Sequence, residues 1–88
     1  MKKAYLLVTM DYNNKQALVS FKSERTMNKV SPLLENMLDY TVLLTEPYCG
    51  LTDVCKEKEL IEELGGIDCI DYEGNIITLF NELYEMLN

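Results

Sequence analysis

Lys3-Ala4-Tyr5-Leu6-Leu7-Val8-Thr9-Met10 is the most apolar run of the chain and is unbroken by glycine or proline. Its apolar residues are consecutive instead of alternating with polar ones, and a strand of that kind is covered on both faces. The run is therefore expected inside a sheet, with everything else packed around it. Leu7 lies in its middle, where a Leu→Ala change in a packed core typically costs about 2–5 kcal/mol.

The chain has 88 residues, enough for one small core and not for two, so residues 1–88 are expected to form a single domain. Apolar residues make up 48% of the chain, a share that fits a folded domain and not intrinsic disorder. No apolar stretch approaches the roughly 20 residues that span a bilayer, and Asp11 interrupts the N-terminal run too early for a secretory leader. A cytoplasmic location is expected. Cys49, Cys55 and Cys69 are odd in number and irregularly spaced, which points to reduced thiols and away from disulfide stapling.

Turn and period signals divide the chain. Asn13 and Asn14 tolerate positive φ and mark a hairpin. After it Ala17, Val19 and Phe21 share one face of a second, half-exposed antiparallel strand, with Ser20 and Lys22 opposite, beside Leu18. From Met27 the spacing becomes helical through Val30, Leu34 and Met37 or Leu38. Ser31-Pro32 is an N-cap and first-turn pair, so the helix is expected from there to about Asp39, preceded by a separate turn or kinked entry over Glu24 to Val30. Tyr40 to Thr45 reads as a third strand, interior and beside the first, and Glu46 to Leu51 as an irregular loop. Thr52 or Asp53 can cap a helix over Val54 to Leu64, ended by Gly65-Gly66. Ile67 to Tyr72 is a short fourth strand, and Asn75 opens a last helix with Ile76, Phe80, Leu83, Tyr84 and Leu87 on one stripe. A strand over Ile76 to Leu79 is the competing assignment. The expected architecture is α+β, in β-β-α-β-α-β-α order, with a small mixed or antiparallel sheet covered by helices mainly on one side.

Motifs exclude more than they indicate. The chain has no histidine, which removes the commonest general base, and the cysteine spacing suits neither a redox pair nor a zinc knuckle. Asp68, Asp71 and Glu73 could do acid–base work only if burial or a close like charge raised a pKa. A calcium loop with Gly74 at its sixth position would put Cys69 first and Phe80 twelfth, where carboxylates are required. Neither phosphate-binding glycine motif occurs. No catalytic residue, cofactor or structural metal is expected.

Charge is the remaining signal. Residues 1–45 carry six basic and four acidic side chains, a net of +2, whereas residues 46–88 carry two and eleven, a net of −9. Direct contact of the acidic half with nucleic acid or an anionic membrane is disfavoured. Clustered carboxylates steer toward basic partners and tyrosines anchor interfaces. The candidate partner-binding residues are accordingly Tyr48, Asp53, Glu57, Glu59, Glu62, Glu63, Asp68, Asp71, Tyr72 and Glu73. The expected function is a non-enzymatic protein-binding module that occupies a basic, nucleic-acid-binding surface of another protein. Small acidic inhibitors made by phages against host nucleases, anti-CRISPR proteins among them, are similar in size and charge alone. Homodimerisation through a sheet edge is the alternative, and solubility is the plainest account of the charge.

Overall fold

The apolar run folds as the strand β1 (Lys2–Met10) in the computed structural model, which describes residues 2–10, 14–37, 43–53 and 57–87. It is followed by β2 (Gln16–Phe21), α1 (Glu24–Met37), β3 (Leu43–Asp53), α2 (Glu57–Glu63), β4 (Asp68–Asp71) and α3 (Ile76–Leu87). The strands form one mixed sheet in the order β3-β1-β2-β4, antiparallel except for the parallel β2–β4 pair. The α+β class and the element order are those the sequence leads one to expect.

Residues of β1 alternate between two cores, which explains why the run is apolar at consecutive positions. Ala4, Leu6 and Val8 face α1 and α3, together with Ala17, Val19 and Phe21 of β2 and Ile70 of β4. Met27, Val30 and Leu34 of α1, and Leu79, Leu83 and Leu87 of α3, complete this larger core at helical spacing. On the opposite face, Tyr5 and Leu18 pack with Leu60 of α2, and Leu7, Ile61, Leu64, Ile67 and Cys69 fill around them.

Four local expectations are corrected. β2 is not half exposed: five of its six residues are buried, because it is flanked by β1 and β4 and has helices on both faces. α1 is one continuous helix from Glu24, and Pro32 lies inside it. The cap is Ser23, whose Oγ accepts from the Thr26 N–H at 3.2 Å, so Ser31-Pro32 starts nothing. Burial of Met27, Val30 and Leu34 on one stripe holds the helix through the hydrogen bond that proline cannot donate. β3 includes Pro47 and Gly50 and is an edge strand, not an interior one. The expected loop is a register shift in which Ala4 pairs with Leu51 and Tyr5 with Tyr48. A bulge on an edge is where proline and glycine are tolerated in a sheet. Residues 38–42, which hold the expected end of the first helix and start of the third strand, lie outside the described residues. So do residues 54–56, and α2 accordingly begins at Glu57, with Thr52 and Asp53 in β3.

The turn signals hold. Asn14 has φ 57°. Gly65 and Gly66 have φ 90° and 77°, and their N–H groups donate to the carbonyls of Glu62 and Ile61. This is the paired closure of a helix C-terminus that glycine permits, and here both glycines are left-handed. Asn75 Oδ1 accepts from the Ile77 and Thr78 N–H groups at 3.0 and 3.3 Å, and a helix over Ile76 to Leu79 replaces the alternative strand.

Candidate functional site

The short helix α2 and the edge strand β4 gather most of the candidate residues. α2 lies across the sheet with Leu60 buried, so Lys58, Glu59, Glu62 and Glu63 are exposed on its outer side. Asp68 and Asp71 of β4 and Glu73 beyond it are exposed as well. Asp71 is paired with Lys3, Oδ1 to Nζ 3.4 Å, and is the one carboxylate in an ion pair among the described residues. On α3, Glu82 and Glu85 are exposed. A band of carboxylates thus runs from α2 over the β4 edge to α3.

Four expected members stand apart from that band. Glu57 turns inward: its Oε1 accepts from Tyr5 Oη at 3.0 Å and from Cys69 Sγ at 3.8 Å. Tyr72 is half-buried, its ring 5.3 Å from that of Phe21 in the larger core. Tyr48 and Asp53 belong to β3, at the far edge of the sheet from β4. Among the tyrosines whose side chains are described, Tyr84 on α3 is the one that reaches the surface, 45% exposed. It stacks on Phe80 at 6.0 Å between centroids, and Ile77, two turns earlier on the same face, is 61% exposed.

Beneath the first turn of α2 the sheet carries a polar network. Lys3 and Tyr5 of β1, Ser20 of β2, and Cys69 and Asp71 of β4 alternate onto the same face. The register places Ser20 opposite both Tyr5 and Asp71. Ser20 Oγ donates to Asp71 Oδ1 in a short contact. That hydroxyl foremost, and the Lys3 ammonium after it, hold the Asp71 carboxyl below its usual range against partial burial. A depressed carboxyl adds stability above its unfolded pKa and loses it as pH falls through the folded one. The 62% exposure of the Asp71 side chain keeps that contribution small. Burial first, then the Glu57 carboxylate, raise the Tyr5 phenol above its ordinary range. Burial, with Glu57 and Asp71 nearby, pushes the Cys69 thiol up to about 12.

Ligand atoms of Glu57, Cys69 and Asp71 lie within 4.8 Å of one another, a spacing that could hold a divalent ion. The Lys3 ammonium already supplies positive charge to Asp71, and the thiol resists the ionisation that metal binding needs. Next to this network, Lys3, Lys22, Ser20, Thr26, Asp71 and Glu73 border an open cleft of about 530 Å³ in which both signs of charge are mixed.

Sequence reasoning named Glu57 and Asp71 but not the grouping of Lys3, Tyr5, Ser20 and Cys69 around them. The period-2 positions were visible, yet only the pairing of β1 with β2 and of β2 with β4 brings them to one place. No helix among the described residues is long and apolar enough to cross a membrane. Comparison with protein-family models, with curated proteins and with solved structures finds no significant match for this chain.

Proposed function

We propose that the protein is a non-enzymatic binding module whose acidic band docks on a basic surface of another protein, in the cytoplasm, and thereby blocks a nucleic-acid-binding groove. The observation that carries this reading is the exposure of Glu59, Glu62, Glu63, Asp68 and Glu73 on adjoining elements, with no ion pair to any of the five among the described residues. Unpaired carboxylates on one side of a small domain raise the local potential for a cationic partner and speed its approach. The network under α2 serves to position the helix: Glu57 is tied to the sheet, which fixes the direction of the three glutamates behind it.

The test is capture of partners from native host extract on the immobilised protein, with the Glu59→Lys/Glu62→Lys/Glu63→Lys variant in parallel. A dedicated partner is expected to bind the wild type, to elute as salt rises, and to be lost from the variant. A Lys15→Glu/Lys22→Glu protein should retain it. Equal capture by wild type and glutamate variant at low and high salt would leave solubility as the account of the charge. Melting curves show whether each variant is folded.

A further inference from the structure

The β4 edge combines open backbone groups with the charge of the acidic band. Among the described strands β4 ends the sheet, pairing with β2 alone. The Tyr72 N–H donates to the Ser20 carbonyl at 2.9 Å. By the alternation of a parallel ladder, Ile70 and Tyr72 turn their N–H groups to β2, while Cys69 and Asp71 turn their backbone N–H and C=O outward. No described residue pairs with that outer row. Such a row is a template for another strand.

Its surroundings select the occupant. Asp68, Asp71 and Glu73 are exposed along this edge. Beside it, between β4 and α3, lies a pocket of about 140 Å³ bordered by Ile70, Leu79, Asn75 and Thr78 together with Glu73 and Glu82, while the Asp71 carboxylate lies on the opposite face of β4. A small, largely polar pocket bordered by two carboxylates matches the ammonium at the end of a lysine side chain, which needs anions and hydrogen-bond acceptors. A second copy of this chain would bring the same carboxylates against these, and like charges across an interface are costly.

We propose that the β4 edge binds an extended, lysine-bearing segment of the partner as a fifth strand, with one lysine seated between β4 and α3. The proposal rests on the acidic-interface reading and specifies its binding mode: backbone pairing supplies the ladder, and the carboxylates choose a basic sequence.

The experiment uses the intact protein and an acetylated, amidated peptide of alternating lysine and valine. An analogue N-methylated at every backbone amide keeps each ammonium and removes every backbone donor. Titration at low salt is followed by amide hydrogen exchange. The unmodified peptide is expected to bind at least tenfold more tightly than the analogue. It should also slow exchange at the Cys69 and Asp71 amides at least tenfold, with little change at Ile70 and Tyr72, which already face β2. Equal, salt-sensitive binding of both peptides without protection at Cys69 and Asp71 would overturn strand addition and leave the acidic interface standing. No binding of either would overturn strand addition and count against the interface too. A concentration-dependent dimer that protects the same two amides without peptide would assign the edge to self-association.

Discussion

Replacing Leu6 by alanine is expected to lower stability by about 3–5 kcal/mol, a large share of the roughly 5–15 kcal/mol that holds a domain together. Leu6 is fully buried in the larger core, on the strand flanked by both β2 and β3, opposite Val19 on one side and Pro47 on the other. The cavity left by its removal is bounded by strands and helices that cannot all close on it. Leu7→Ala is expected to cost less, about 1–2 kcal/mol, because Leu7 is only partly buried in the smaller cluster under α2. Urea denaturation of the two variants gives both values. A Leu7→Ala midpoint at or below that of Leu6→Ala would mean that the face under α2 is the main core.

The second large effect is chemical. Cys69 in the folded protein is expected to react with iodoacetamide at about pH 8 roughly a hundredfold or more slowly than in the urea-unfolded chain, because only the thiolate attacks. Burial, followed by the Glu57 and Asp71 carboxylates, moves its pKa from 9.0 to about 12. At about pH 8 that displacement depletes the thiolate by roughly a thousandfold, and the margin between the two factors allows for local opening. Peptide mapping reads Cys69 separately from Cys49 and Cys55. The same displacement has a sign for stability: a pKa raised on folding contributes fully below the unfolded value, so the contribution declines as pH rises from about 9 toward about 12. Cys69→Ala should flatten that alkaline decline. Alkylation of folded and unfolded chains at similar rates would show that the thiol is neither buried nor held under α2.

The contrast between Leu6 and Leu7 shows what sequence can and cannot supply. Consecutive apolar residues over Ala4 to Val8 imply cover on both faces, and the strand is indeed interior, but nothing in the run says which face meets two helices and which meets one. Punctuation was legible wherever one residue type decides the backbone, as at Asn14, Gly65-Gly66 and Asn75. It misled where tertiary contacts outweigh local preference. Pro32 reads as a helix start, yet the apolar stripe on both sides of it carries the helix through. Pro47 and Gly50 read as a loop, yet an edge strand needs partners on one side only and absorbs them in a bulge. The acidic surface could be anticipated because exposed charge follows from helix phase: Glu59, Glu62 and Glu63 lie off the Leu60-Ile61-Leu64 stripe. Glu57 could not be assigned this way, since its inward turn depends on Tyr5 and Cys69, distant in sequence and adjacent only through sheet register.

Competition with nucleic acid tests the proposed blocking of a nucleic-acid-binding groove. The partner recovered on the immobilised protein is titrated with this protein in the presence of a labelled duplex or RNA that the partner binds. If the acidic band occupies the groove, nucleic acid and protein exclude one another, so the apparent affinity of each falls in proportion to the concentration of the other. The Glu59→Lys/Glu62→Lys/Glu63→Lys variant should displace nothing. Raising salt should slow association of the wild type more than it speeds dissociation, as expected for charges that steer encounter over a screening length of about 8 Å. A ternary complex of partner, nucleic acid and this protein, with each affinity unchanged by the other, would contradict the claim.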